Sequence, residues 1–211
     1  MSAAGESDAL AVWCGVRRRV DWAGLGAADL GSPVVPAVDG FTAWCEGPVR
    51  RRDPVRAERL LSAYARARAD AARGVPLTYA VLAGWQRAVL GAGRVAFRRG
   101  DAYAKGGRER YGLTPRTEAD FARCLADSAQ AGVPLAARAA RTYLDVAFFH
   151  PFDDGNARAA LLALTFVLAR EGVALDEVGP LQTTRYADDP EGAADLAVLV
   201  AVLARAARRR A

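Results

Sequence analysis

Cysteines and long apolar runs are scarce in this chain of 211 residues. The three cysteines, Cys14, Cys45 and Cys124, are odd in number, lie far apart and form no CxxC pair. We therefore expect neither a disulfide framework nor a zinc site. The longest apolar run, LAVLVAVLA at residues 196–204, is too short to span a bilayer, and no signal peptide pattern begins the chain. These absences predict a soluble, cytoplasmic protein that contacts no membrane.

The alternation of apolar and polar residues that is typical of β-strands is almost absent too, which predicts an all-α fold. Prolines mark several predicted helix starts, namely Pro54 after Asp53, Pro76, and Pro115 after the capping residue Thr114. Further apolar helices are predicted before and after residue 150, and a last one ends the chain. We expect a helical bundle.

One segment breaks this pattern. Two short stretches around Tyr103 and Tyr111 flank Gly106 and Gly107, and glycines at such a position are typical of a hairpin turn. The sequence therefore predicts a small, exposed β-hairpin, which we call the flap. Because a flap has open edges, it can offer one of them to an extended peptide.

The chain divides by composition near residue 53. Glycines and prolines interrupt the first part, which predicts an N-terminal extension over residues 1–53 and a domain over residues 54–211 with a C-terminal helix. The formal charge is +5, but most arginines are scattered through alanine-rich helices. No basic groove interleaves the four tryptophans, so we do not expect nucleic acid as a partner.

The stretch AFFHPFDDGNARAALLAL, residues 147–164, places reactive groups between two apolar helices. His150, the only histidine, lies where the first helix ends, and Asp154 is a hard oxygen ligand that suits Mg²⁺. Gly155 allows close approach of the backbone to a ligand. Asn156, Ala157 and Arg158 open a helix whose free N–H groups attract anions, and the guanidinium of Arg158 suits phosphate.

Two interpretations of this loop remain open on residue chemistry alone. A lone histidine is most often structural, and a polar turn between helices accounts for Gly155 and Asn156. It does not account for the coincidence of His150, Asp154 and Arg158, which together describe a cradle for nucleotide phosphates with a base at its rim.

HPFDDGNAR, residues 150–158, resembles the signature HPFx(D/E)GN(G/K)R of the Fic/Doc family and matches eight of its nine positions when the variable one is counted. The resemblance extends over about residues 76–175 and implies a Fic-type helical bundle with a β-hairpin flap. It also implies protein adenylylation, in which AMP passes from ATP to a Ser, Thr or Tyr hydroxyl of a target protein.

The resemblance assigns roles to individual residues. His150 would be the general base, and Asp154 would hold Mg²⁺. Gly155 and Asn156, with the helix start at Ala157, would contact the α-phosphate, and Arg158 a more distal phosphate. The flap residues Tyr103, Ala104 and Lys105 would align the target by main-chain pairing.

Two departures from the family pattern leave the transferred group open. Adenylylating members carry a second arginine three residues after the first, where this chain has Leu161, and Ala157 replaces the usual Gly or Lys. Loss of the second arginine is similar to the Doc branch of toxin kinases, which a partner antitoxin restrains. The residues also leave open transfer of another nucleotide-derived phosphate group, or an inactive binding module with this fold.

TAWCEG, Thr42 to Gly47, matches the inhibitory pattern (S/T)xxxE(G/N) of the same family. The pattern implies that Glu46 obstructs the nucleotide γ-phosphate, so that the N-terminal extension carries an inhibitory helix. Because that glutamate normally pairs with the second arginine, Glu46 would need Arg158 or another cation here. An ordinary exposed carboxylate near a helix end is the alternative.

Overall fold

The computed structural model describes residues 8–25 and 33–210, and these residues form a helical bundle with one small hairpin. The α-helices are α1 Ala9–Arg19, α2 Gly40–Trp44, α3 Arg50–Arg52, α4 Pro54–Ala72, α5 Tyr79–Leu90, α6 Thr117–Ala126, α7 Leu135–Phe149, α8 Asn156–Arg170 and α9 Pro190–Arg209. A π-helix, Cys45–Val49, joins α2 to α3. The strands are β1 Ala102–Ala104 and β2 Glu109–Tyr111. The prediction of an all-α fold with a β-hairpin is confirmed.

Helix α4 begins where the sequence predicts, because Asp53 accepts a hydrogen bond from the N–H of Arg56 at 2.9 Å and Pro54 follows as first helical residue. The start of α5 lies later than Pro76. Thr78 is its cap and accepts from the N–H of Val81 at 3.3 Å, so the side-chain acceptor fixes this start and the proline only precedes it.

The start of α6 also lies later than predicted. Thr114 and Pro115 form a turn in which the hydroxyl of Thr117 accepts from the N–H of Thr114 at 2.9 Å, and α6 begins at Thr117 itself. A threonine and a proline therefore stop the chain in a turn here before the helix begins.

Helices α7 and α8 form the centre of the bundle. Most of their side chains are buried, many of them alanines, which lets neighbouring helices approach closely. Helices α4 and α5 pack on α8, whereas α1, α6 and α9 pack on α7. The loop between α7 and α8 thus projects from the best packed part of the molecule, and its residues are held from both sides.

Helix α1 was not predicted from the sequence, because residues 1–53 were expected to be loose. Trp13 is fully buried and contacts Phe148 with ring centroids 4.9 Å apart, so α1 belongs to the same hydrophobic core as α7. Asp8 caps the helix by accepting from the N–H of Leu10 at 3.0 Å. Composition hid this helix, since Gly15 lies within it and glycines and prolines are frequent in the sequence that follows it. Residues 1–7 and 26–32 of the expected extension lie outside the described residues.

The flap lies beside the end of α7. Its strands are antiparallel, with Ala102 opposite Tyr111 and Ala104 opposite Glu109. Gly106 and Gly107 form the tip with φ of 68° and 88°, the left-handed region that glycine adopts at low cost. Tyr103 is exposed, whereas Glu109 is buried and anchors the flap to the segment before α9 by accepting from the N–H of Ala187 at 2.9 Å.

Within residues 8–25 and 33–210, no helix combines the length and the apolar character that crossing a membrane requires.

Candidate active site

His150 ends α7 in an unusual backbone conformation. Its φ of 50° and ψ of 54° are left-handed, and among the described non-glycine residues only His150 and Lys105 have a positive φ. Such a conformation is costly for a side chain larger than glycine and persists where neighbours fix it. Arg98, which is buried, fixes this turn: its Nε donates to the carbonyl of His150 at 2.8 Å, and its backbone N–H donates to the carbonyl of Pro151 at 2.9 Å.

The imidazole of His150 has one nitrogen occupied and one open. Nδ1 lies 3.0 Å from the carbonyl oxygen of Ala147. Because a carbonyl can only accept, this contact places the proton on Nδ1 and leaves the lone pair of Nε2 available. The ring stacks on Tyr111, with centroids 5.0 Å apart and planes at 14°. The histidine is thus oriented as a base.

The surroundings keep this imidazole neutral. Burial lowers the pKa of His150 below its ordinary value of 6.5, and the positive charges of Arg98 and Lys105 lower it further, against the opposing hydrogen bond to Ala147. A neutral imidazole is the form that accepts a proton.

Asp154, Gly155 and Arg158 form the turn into α8. The carboxylate of Asp154 accepts from the N–H of Gly155 at 2.6 Å and from Nη2 of Arg158 at 2.9 Å. Gly155 has φ of 79°, and a Cβ there would lie 2.5 Å from Nε2 of Gln86. Gln86 in turn donates to the carbonyl of Asp154 at 2.6 Å. Only glycine fits this position, because both the backbone angle and the nearby amide exclude a side chain.

Asn156 closes the loop. Its side chain is buried, accepts from the N–H of Phe152 at 2.9 Å and donates to the carbonyl of Phe152 at 2.7 Å. Its amide is therefore used inside the loop, and its backbone N–H remains for an anion. Since no side chain caps α8 in the described structure, the first N–H groups of this helix, from Asn156 to Arg158, are available to a ligand.

A cavity of about 250 Å³ lies between the flap and α8. His150 and Ala157 line it together with the flap residues Ala104 and Lys105 and with residues 182–185. The fold therefore brings four of the sequence-predicted residues to this cavity, whereas Asp154 and Arg158 line a different one. Tyr103 lies on the outer face of β1 and is 59% exposed, so it does not join them at this cavity.

Lys105 has a carboxylate partner already. It forms an ion pair with the buried Glu109, and its ammonium lies 4.8 Å from the ring centroids of Phe148 and Tyr186. The hydroxyl of Tyr111 donates to the same carboxylate. The ring that stacks on His150 is thus held by the residue that anchors the flap.

Three residues that support the site were not among the predicted ones, namely Gln86, Arg98 and Tyr111. Each is distant in sequence from the loop that it contacts. Arg98 lies in the segment AFR just before the flap, and Tyr111 is a flap aromatic, so both carried a signal. Nothing in the sequence marked Gln86, because a buried glutamine on an apolar helix looks the same in the sequence as an exposed one.

The carboxylate of Glu46 accepts from Arg50 at 3.1 Å, and its side chain is 48% exposed. Trp44 and Pro48 line a different cavity, of about 230 Å³, which Arg158 also lines, and Glu46 does not line it. The segment predicted to be inhibitory therefore lies next to the site, while its carboxylate points elsewhere in this conformation. Leu161 is buried in the core.

Comparison with known proteins shows which family part of this chain is similar to. Residues 76–168 match the model of the Fic/DOC family. IbpAFic2, solved covalently tethered to Cdc42, gives a TM-score of 0.54 at 14% identity over 92% of this chain and 70% of that one. A Fic domain containing signaling protein from Bacteroides thetaiotaomicron gives 0.51 at 15% identity over 95% of each chain. Fic-1 from C. elegans gives 0.51 at 17% identity over 96% of this chain and 70% of that one.

At these identities the likeness shows the fold. No curated protein matches the sequence.

Proposed function

Because residues 76–168 match the model of the Fic/DOC family, we propose that this protein transfers AMP from ATP to a Ser, Thr or Tyr hydroxyl of a target protein. The observation that carries the proposal is the neutral His150, whose Nε2 has no partner among the described residues and which lines one cavity with Ala157 at the uncapped start of α8. A base and an anion site in one cavity are what phosphoryl transfer to a hydroxyl needs.

The proposed reaction has one bond formed and one bond broken. The target hydroxyl oxygen attacks the α-phosphorus, the bond to pyrophosphate breaks, and Nε2 of His150 takes the hydroxyl proton. The N–H groups of Asn156 to Arg158 stabilise charge on the α-phosphate. A positioned base of this kind contributes roughly a hundredfold to ten-thousandfold in rate.

Asp154 is the residue that would hold Mg²⁺. Among the described residues, no three His, Cys, Asp or Glu side chains converge to form a metal site by themselves. The exposed carboxylate of Asp154 fits the usual arrangement for Mg²⁺, in which one carboxylate and phosphate oxygens share the ion. When bound, the ion would neutralise charge on the phosphates.

Asp154→Ala should abolish Mg²⁺-dependent binding of ATP, which calorimetry would detect, and retained binding would contradict this role.

The flap supports a protein as target. In the described structure β1 pairs only with β2, and the far side of β2 is met by Asp8, so β1 has the free edge. An extended peptide can add to such an edge by main-chain hydrogen bonds. Tyr103, on the outer face of β1, would then contact the peptide and not the nucleotide. The structure of IbpAFic2 tethered to Cdc42 is consistent with a protein as the target class.

One observation favours a second candidate, a Doc-like protein kinase under the control of an antitoxin. Leu161 is buried and hydrophobic where adenylylating members carry an arginine, so position 161 offers no cation to a terminal phosphate. In that reaction the same His150 would activate the hydroxyl, but the γ-phosphorus would be attacked and ADP would leave.

Labelled ATP separates these functions. The protein, with candidate targets from a lysate, is incubated with ATP labelled at the α position or at the γ position, and the wild type is compared with His150→Ala. Label on protein from the α position only, lost in His150→Ala, is expected. Label from the γ position only would establish the kinase, and no His150-dependent label from any nucleotide would contradict both and leave a binding module.

A further inference from the structure

A separate cavity of about 180 Å³, which Arg158 lines, lies between α4, α5 and the turn into α8. We call it the arginine cavity. Its charged lining residues are Asp53, Arg56, Arg59, Asp154 and Arg158. Three guanidinium groups from two helices thus face one space, and the carboxylate that would hold Mg²⁺ is at its edge.

The charges of this cavity are only partly satisfied. Arg158 pairs with Asp154 at 2.9 Å, and the guanidinium of Arg56 lies 3.4 Å from the carboxylate of Asp53. Asp53 is also occupied by capping α4. Arg59 has no hydrogen bond and no ion pair with any described residue. Three cations facing two carboxylates leave one positive charge in excess, which favours an anionic ligand.

Gly91 explains how Arg59 comes to lie there. A Cβ on Gly91 would be 2.6 Å from Cζ of Arg59 and 2.7 Å from its Nε and Nη2. The guanidinium therefore lies flat against the end of α5, in space that only glycine leaves open. The carbonyl end of a helix attracts a cation. This contact holds the position of Arg59, while its N–H donors stay available.

Position 161 provides no cation, because Leu161 is buried in the core one turn after Arg158. We propose that Arg59, with Arg56 beside it, binds the terminal phosphates of the nucleotide in place of a cation from α8. The forked guanidinium group suits phosphate oxygens. Arg158, which pairs with Asp154 here, would be a third donor to the same phosphates if Asp154 held a metal ion. This inference rests on the proposed function for the identity of the ligand.

The test compares ligands that differ only in phosphate number. Binding of ATP, AMP and inorganic triphosphate, each with Mg²⁺, is measured by calorimetry for the wild type, Arg59→Gln, Arg59→Lys and Arg66→Gln. Arg66 is a matched control, because it is exposed on the same side of α4 two turns later and does not line the cavity. Circular dichroism verifies that each variant is folded.

We expect Arg59→Gln to weaken ATP and inorganic triphosphate about tenfold, the loss that goes with one hydrogen bond to a charged group. AMP should bind unchanged, Arg59→Lys should recover part of the loss, and Arg66→Gln should behave like the wild type. The inference is wrong if Arg59→Gln leaves ATP affinity unchanged, if it weakens AMP equally, or if the wild type binds neither ATP nor triphosphate.

The proposed function can fail on its own. Arg59-dependent binding of triphosphate by a protein that transfers no label from ATP would support the phosphate site and contradict the transferase.

Discussion

Asp145, on α7, and His150, directly after the end of that helix, are five residues apart, and their surroundings are opposite. Asp145 is fully buried, and both of its oxygens are occupied: Arg17 donates through Nε at 2.7 Å and Nη2 at 3.0 Å, and Trp13 donates through Nε1 at 3.1 Å. His150 is half-buried and lines a cavity, and only one of its ring nitrogens has a partner among the described residues.

This contrast separates a structural charge from a reactive one. At Asp145 every acceptor has a donor, so the cluster can fix α1 against α7 but can take no ligand. Around His150, Arg98 occupies the backbone carbonyl with a hydrogen bond. Ala147 and Tyr111 fix the orientation of the ring, by a hydrogen bond to Nδ1 and by stacking. The atoms left over, Nε2 and the first N–H groups of α8, are those that the proposed reaction uses.

Replacing the reactive side chain should give the largest effect. His150→Asn should lower the transfer rate roughly a hundredfold to ten-thousandfold, because asparagine has no basic nitrogen. Its free energy of unfolding should change by less than about 1 kcal/mol, because asparagine tolerates the left-handed backbone. Single-turnover rates and urea unfolding would measure both. A large loss of stability would show that His150, like Asp145, stabilises the fold.

Breaking the buried cluster of Asp145, Arg17 and Trp13 should instead lower stability and leave the activity of the folded protein unchanged. Arg17→Met leaves Asp145 buried without its cation and should lower the free energy of unfolding by about 3–5 kcal/mol. The folded fraction should keep its transfer rate and its affinity for ATP. Urea unfolding is the measurement, and the double variant Arg17→Met, Asp145→Leu is the control, since it removes both charges and should recover stability. If the double variant is as unstable as the single one, packing and not the charge is responsible.

The pH dependence of the transfer rate should reflect the protonation of His150. Since burial and nearby cations lower the pKa of His150, the acid limb of kcat/KM should lie below pH 6.5, with about a tenfold loss for each further pH unit. The unfolded chain binds more protons than the folded one in the window just below pH 6.5, so stability should also fall there as pH decreases. In His150→Asn this component of the pH dependence of stability should vanish. An acid limb above pH 6.5 would contradict the environment described for the ring.

Site residues that are close in sequence could be predicted, whereas supporting residues from distant parts of the chain mostly could not. His150, Asp154, Gly155 and Arg158 lie within nine residues, so their shared chemistry can be recognised from their spacing in the sequence. Arg98, Tyr111 and Gln86 reach the same loop from other elements. The first two lie beside or in the predicted flap, whereas only the packing of α5 reveals Gln86. Helix α1 escaped prediction for a related reason, since Trp13, which is buried, and Arg17 have their partner on α7, more than a hundred residues away.

The smallest expected effect concerns Glu46, whose ion pair with Arg50 is exposed to solvent. Trp44 and Pro48 face the cavity that Arg158 lines, and a residue midway between them in a helix points to the opposite side. Inhibition by Glu46 therefore requires the π-helix Cys45–Val49 to rotate and the ion pair with Arg50 to break. An exposed pair of this type contributes up to about 1 kcal/mol, so the ion pair by itself is a small barrier to such a rotation.

If the rotated state is populated, Glu46→Gly should raise self-modification in ATP by up to about fivefold, the factor that corresponds to roughly 1 kcal/mol. The measurement is incorporation of α-labelled AMP into the protein itself. Glu58→Gly is the matched control, because Glu58 also pairs with Arg50 at 2.8 Å and lies on α4. An equal rise in both variants would trace the effect to release of Arg50, and an unchanged rate in Glu46→Gly would leave Glu46 as an ordinary surface carboxylate.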